Sequence, residues 1–190
     1  MIYPIGAKLK NLLKIIIIYK DMSTFTLERW NQQKRWGTHI AMLIKTVQLT
    51  DKPVLELGSG PYSTPILHWL CRGKGLKLYT YEDTPIFYEF ARDFISKLHQ
   101  VTFINNWDEI PMTRQYGVVF IDHHPTERRG VDVLKFKDNA DFIVIHDSNK
   151  EKVYGYDKCW AHFKYRYDWK EANPTTTVLS NFVDVTKFGE

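Results

Sequence analysis

Cysteine is nearly missing from this 190-residue chain. Only Cys71 and Cys159 occur, far apart, with neither a CxxC partner nor a nearby histidine at metal-ligand spacing, so the cysteines indicate neither a disulfide framework nor a zinc site. A strong charge of either sign is also lacking. Lys and Arg total 26 against 22 Asp and Glu, a net +4, and they are scattered; a solvated surface accounts for the excess and no extended phosphate track is expected. Long apolar runs are missing too. Ile15-Ile16-Ile17-Ile18, flanked by Lys14 and Lys20, falls far short of the ~20 residues that span a bilayer, and no small-residue cleavage site follows as a signal peptide requires. Lysines 8, 10, 14 and 20 around it allow an interfacial helix and peripheral membrane contact, a reading ranked below packing onto the domain or a partner. These absences point to a cytoplasmic protein. No repeat, linker or composition shift divides the chain, so one domain over 1–190 is expected.

What is present is a composition that packs: 44% apolar and 15% aromatic residues suit a real hydrophobic core. From Pro53 onward, strand-type runs at Val54–Leu57, Leu76–Tyr81, Val101–Ile104, Gly117–Asp122 and Asp141–His146 alternate with helical stretches at Tyr62–Cys71, Pro85–Leu98, Thr126–Phe136 and Glu151–His162. That alternation predicts an α/β protein, a doubly wound and mostly parallel sheet covered on both faces. Thr84 precedes Pro85 as a candidate cap. Lys164–Trp169 and Thr175–Val185, separated by the turn-forming Glu171-Ala172-Asn173-Pro174, read as an antiparallel C-terminal edge pair. The aromatics Tyr165, Tyr167 and Trp169 are expected to pack there. Residues 1–50, with Leu27, Trp30, His39, Ile40, Leu43, Ile44 and Val47 at helical spacing, are predicted to form an N-terminal helical cap over the 51–190 core.

The strongest local signal is Val54-Leu55-Glu56-Leu57-Gly58-Ser59-Gly60-Pro61, a strand that runs into a glycine turn and then a helix. Glycines at the carboxyl end of a first strand let the backbone approach a ligand. The third glycine of a dinucleotide fingerprint is replaced by Ser63, and no Gly-Lys-Ser/Thr follows, which disfavours pyrophosphate and excludes a P-loop. Glu56 would repel phosphate and suits a ligand carrying an ammonium group. Glu82, closing the next strand, suits ribose hydroxyls, with Asp83 as the adjacent alternative.

This turn, together with Tyr81-Glu82, resembles the class I S-adenosylmethionine-dependent methyltransferases, over roughly Pro53–Asp147. The resemblance implies a Rossmann-like fold in which Gly58, Ser59 and Gly60 underlie the methionine part of the cofactor and Glu82 takes the ribose. Asn105, Asn106, Trp107 and Asp108 would border the adenine. It also implies that the reaction site lies at Phe120-Ile121-Asp122-His123-His124-Pro125 and Ile145-His146-Asp147-Ser148-Asn149, with Asp122 next to the cofactor. Two mechanisms fit these residue types. In one, His123, His124 or His146 is a general base oriented by Asp122 or Asp147. In the other, Asp122, Asp147 and Asn149 hold Mg²⁺, which prefers oxygen ligands. The wording is similar to the catechol-type O-methyltransferases, except that Ser148 intervenes before Asn149.

The expected activity is O-methylation of a small-molecule or sugar-containing acceptor. Two alternatives stay open, a nucleic-acid methyltransferase and a non-catalytic S-adenosylmethionine-binding module. Asp122-His123-His124-Pro125 departs from the Asn/Asp-Pro-Pro-Tyr/Phe of the amino-methylating nucleic-acid enzymes. Three further segments are read with their simplest roles: Glu127-Arg128-Arg129 as a solvated helix face, Arg35–His39 as a lid over the cofactor, and Tyr154-Gly155-Tyr156 as pocket lining.

Overall fold

The computed structural model describes residues 35–189 apart from residue 113. The cap expected before residue 35, with Leu27, Trp30 and the isoleucine run, lies outside the described residues. Among those described, no helix is long and apolar enough to cross a membrane.

The chain runs through helix α1 (Ile40–Gln48), strand β1 (Val54–Leu57), α2 (Thr64–Lys74), β2 (Leu78–Glu82), α3 (Pro85–Ala91), β3 (His99–Phe103), β4 (Tyr116–Ile121), α4 (Arg129–Phe136) and β5 (Ala140–Ile145). After the short helix α5 (Glu151–Tyr154) come β6 (Tyr165–Trp169) and β7 (Thr176–Ser180). One seven-stranded sheet results, ordered β3-β2-β1-β4-β5-β7-β6. Its first five strands are parallel, while β7 is antiparallel to both β5 and β6. The expected C-terminal pair is thus present, with β7 inside the sheet and β6 on the edge.

Strands β1, β4 and β5 are mostly apolar because both their faces are covered, with Glu56 in β1 and Asp141 at the start of β5 as the charged exceptions. Successive side chains alternate between two cores. Val54, Val118, Phe120, Phe142 and Val144 meet Leu43 and Val47 of α1 and Leu67 of α2. Leu55, Leu57, Val119, Ile121, Ile143 and Ile145 meet Val133 and Phe136 of α4. Each fully buried aliphatic contributes ~1.5–3 kcal/mol, so a one-residue slip in any central strand would exchange the two cores.

Two expected helices are shorter in the structure. The Pro85–Leu98 stretch is α-helical only to Ala91 and then a 3₁₀ turn to Phe94, because Ser96 Oγ accepts the amides of Leu98 and His99 and turns the chain into β3. Thr84 precedes α3 without a side-chain capping bond. The Glu151–His162 stretch breaks after Tyr154, where Gly155 adopts φ +70°, a left-handed conformation that stops a helix and favours glycine. Two 3₁₀ turns follow, at Tyr156–Lys158 and Trp160–His162.

The connection β1-β2-β3 winds to one side of β1, and β4-β5 lies on the other. This makes the carboxyl ends of β1 and β4 a topological switch point, where doubly wound sheets bind their ligands.

Candidate active site

At the end of β1, Gly58 takes φ +86°, and a Cβ there would stand 2.6 Å from His123 Cα. The glycine therefore lets two backbones cross at the switch point. The Gly58 amide donates to Tyr81 O (3.0 Å) and the Asp122 amide to Leu57 O (2.9 Å), pinning the turn to both neighbouring strands. Glu82 is buried at the end of β2. Its Oε2 accepts from the Ser59 amide (2.6 Å) and hydroxyl (2.9 Å), and its Oε1 from the amides of Asp83 and Thr84. Burial raises its pKa despite those donors.

Glu56 departs from its expected role at a ligand ammonium. It points into the α1/α2 core, the face it shares with Val54 by strand alternation, and is fully buried. Its oxygens accept the hydroxyls of Thr64 (3.0 Å) and Thr80 (2.7 Å), and Thr64 Oγ1 in turn accepts the Gly60 amide (3.0 Å). Burial pushes its pKa up to about 7. Thr80 continues to His99 Nε2 (2.8 Å), and His99 Nδ1 lies 3.1 Å from His68 Nδ1. Glu56 thus braces the turn from behind.

In the loop after β3, the Asn106 side chain is engaged with the backbone of its own loop. Its Oδ1 accepts the Asp108 amide and caps the 3₁₀ turn Trp107–Glu109, with Glu109 closing a capping box. Trp107 is 4% exposed. Its ring stacks on His123 at 4.0 Å, and its Nε1 donates to Asp83 Oδ2 (3.0 Å) and His124 O (2.7 Å). The indole therefore reaches from the end of β2 to the end of β4.

The ends of β4 and β5 carry the densest ionisable cluster. His146 Nδ1 lies 3.2 Å from Asp122 Oδ2, and His146 Nε2 lies 3.0 Å from Thr38 Oγ1. An ionised carboxylate only accepts, so Nδ1 carries the proton and Nε2 accepts the threonine hydroxyl. Burial opposes ionisation of Asp122, but the His146 hydrogen bond and the charges of His146 and Arg129 prevail and hold its pKa down to about 2. For His146, burial lowers the pKa while Asp122 raises it, with a net increase. The His39 ring packs 4.7 Å from those of His146 and Phe120, and burial lowers its pKa to about 3. Tyr154 donates to Asp147 Oδ2 (3.1 Å) and Tyr156 to His146 O (3.3 Å), so this pair backs the cluster.

Several expectations are corrected here. Arg129 is not on a solvated face; it is buried, with NH1 2.9 Å from Asp122 and 3.7 Å from Asp147, and its Nε donates to His123 O (2.7 Å). A Mg²⁺ ion shared by Asp122, Asp147 and Asn149 does not fit, because this guanidinium already bridges the two carboxylates and Asn149 faces solvent. His123 is no base candidate: it is sealed under Trp107 with Nε2 2.9 Å from the fully buried Asp132. His124 is exposed and contributes its carbonyl to Trp107. Arg128 spans Asp108 and Asp132. Arg35–His39 is more than a lid, since Thr38 and His39 are buried members of the cluster. Sequence reasoning missed Asp132 and the partnership of Arg129. The acid at helical spacing from Arg128 was the available signal.

No family model matches the sequence, and neither does any curated protein. Solved structures do match. A putative caffeoyl-CoA O-methyltransferase from Staphylococcus aureus superposes with a TM-score of 0.61 at 10% identity, over 90% of this chain and 99% of that one. The O-methyltransferase TomG from Streptomyces achromogenes, solved with S-adenosylmethionine, gives 0.60 at 12% identity over 91% and 90%. The METTL16 methyltransferase domain gives 0.55 at 12% over 76% and 67%. The fold is that of the class I methyltransferases. Identities this low carry the architecture alone, so the chemistry has to be argued from this chain's own side chains. At the switch point of this fold stand a glycine turn with no room for a Cβ and a carboxylate closing β2.

Proposed function

We propose that this chain is an S-adenosylmethionine-dependent methyltransferase acting on a hydroxyl group of a small-molecule or sugar-containing acceptor. One juxtaposition carries the reading. The Gly58 turn and Glu82 stand at the ends of β1 and β2, and the Asp122–His146–Thr38 relay stands at the ends of β4 and β5. On this reading, donor and proton acceptor would stand on either side of one switch point.

Bound S-adenosylmethionine supplies an electrophilic methyl group. Gly58, Ser59 and Gly60 would bring backbone against it, and Glu82 would turn from the Ser59 hydroxyl to the ribose. On the acceptor side, Asp122 fixes the His146 tautomer and leaves the Nε2 lone pair toward the hydroxyl of Thr38. An acceptor hydroxyl that takes the threonine's place, or passes its proton through it, is deprotonated by Nε2 as its oxygen attacks, and Asp122 stabilises the resulting imidazolium. Positioned bases of this kind contribute about 10²–10⁴-fold. TomG was solved with S-adenosylmethionine and a Podospora anserina methyltransferase, PaMTH1, with S-adenosylhomocysteine, which supports the choice of donor. A human Mettl16 catalytic domain was solved with an RNA hairpin; nothing in the cluster described here favours RNA over a small acceptor.

Calorimetric titration with S-adenosylmethionine, with NAD as control, followed by an acceptor screen, tests the reading. Gly58→Asp is expected to abolish cofactor binding. Asp122→Asn is expected to keep it and lose about 10²-fold or more in turnover. Absence of saturable cofactor binding by the unaltered protein sinks the proposal, and normal turnover by Asp122→Asn removes its reaction site.

A further inference from the structure

The relay explains His146 and Asp122 but not the third imidazole. His39 is 2% exposed, and neither of its ring nitrogens has a hydrogen-bond partner among the described residues. Buried polar atoms are almost always satisfied, and the exceptions call for a ligand or a function. We propose that His39, Asp122 and His146 form a binding site for a divalent transition-metal ion of the zinc, iron(II) or cobalt(II) kind.

One ligand atom from each of the three residues lies within 4.8 Å of the other two. Bonds of about 2.0–2.1 Å in a tetrahedral shell would draw those atoms closer, a movement of about an ångström that side-chain rotation supplies. Two imidazoles and one carboxylate suit zinc or iron(II) and are poor ligands for Mg²⁺, which demands oxygen. Three protein ligands also leave coordination positions open for an exogenous group.

The surroundings are those of a ligated site. Arg129 holds Asp122 by Oδ1 at 2.9 Å and leaves Oδ2 toward the imidazoles; with Nδ1 of His146 on the ion, the proton moves to Nε2, which then donates to Thr38 Oγ1 at 3.0 Å; Phe120 walls His39 at 4.7 Å. Partners of this kind orient metal ligands in general. The Arg129 guanidinium takes Oδ1 of Asp122 and leaves Oδ2 on the imidazole side, whereas an ion shared by Asp122 and Asp147 would have to displace it. Ligation through His146 takes a lone pair from the base assigned above, and the ion would then acidify the acceptor hydroxyl in its stead. The site itself is independent of the methyl-transfer reading, since it is detected by metal binding alone.

The test uses the full chain, free of any histidine tag and stripped with chelator. It is titrated with Co²⁺ while the visible d–d absorption is followed, and with Zn²⁺ by calorimetry. One ion per chain is expected. His39→Gln, checked for folding by circular dichroism, is expected to weaken binding at least ~tenfold, the loss typical even of residues one step removed from a metal. His99→Gln is the matched control, because His68 and His99 form the other close imidazole pair (3.1 Å), and it is expected to bind as the unaltered chain does. No Co²⁺ or Zn²⁺ binding by the unaltered chain overturns the proposal, as does binding lost in His99→Gln but kept in His39→Gln. Should His39→Gln fail to fold, Asp122→Asn replaces it with the same expected loss.

Discussion

Glu56 makes the stability of this protein depend on pH in a direction opposite to that of most carboxylates. Its pKa rises from 4.5 to about 7 on burial, so the folded chain holds the proton more tightly than the unfolded chain does. Below pH 4.5 the group is protonated in both states and has no effect. Between pH 4.5 and about 7 the unfolded chain ionises first and gains on the folded one; above pH 7 the whole difference is lost from stability. At 1.36 kcal/mol per unit this amounts to about 3 kcal/mol. Glu56→Gln removes the titration and mimics the protonated acid. Its carbonyl accepts from Thr64, and its amide donates to Thr80, which then donates to His99 Nε2. Urea unfolding at pH 5 and pH 8 should show the variant gaining about 2.5 kcal/mol on the parent chain between the two, roughly 5–10 °C in Tm. Nitrogen NMR should show the His99 tautomer following the same transition in the parent. Parallel stability curves for the two proteins would refute the argument.

Two further outcomes follow from named contacts. Gly58→Ala combines a left-handed residue with a Cβ 2.6 Å from His123 Cα, and is expected to lower stability by about 2–5 kcal/mol and to abolish cofactor binding, read by denaturant titration and calorimetry. Asp132→Ala leaves the sealed His123 without its partner and Arg128 with Asp108 alone and should cost about 1–3 kcal/mol, whereas Asp138→Ala, at the exposed Lys137 pair, should stay within about 1 kcal/mol; equal losses in chemical denaturation would contradict the burial assigned to Asp132.

The central strands were legible because strands covered on both faces are mostly apolar: β1 lies at Val54–Leu57 as expected, and β4 and β5 each begin one residue earlier. The turn at Gly58 and the acid at Glu82 were legible for a related reason, since only glycine accepts that crossing and strand ends place polar side chains predictably. What sequence could not reveal was parity and convergence. Glu56 sits beside the turn in sequence, but the alternation of β1 sends its carboxylate into the helical core. Arg129 lies in a run of charges that reads as surface, and its burial comes from Asp122 and Asp147 meeting around it. Thr38 and His39 reach His146 only because α1 packs on β4 and β5, a contact that no local pattern encodes. Gly155 ended a helix whose apolar spacing ran on past it.

The Trp107 indole and the Ser59 hydroxyl tie together the carboxyl ends of β1, β2 and β4. If the proposed function holds, the bonding positions a nucleoside would seek at this edge are those now filled by Ser59 on Glu82 and by an aromatic ring tied to Asp83 and His124, so that these contacts would act as a latch. Ligand entry is then an exchange of partners rather than the filling of a hollow. Its apparent affinity is reduced by the fraction of molecules with the latch released, and loosening the latch would tighten binding without adding a single contact to the ligand.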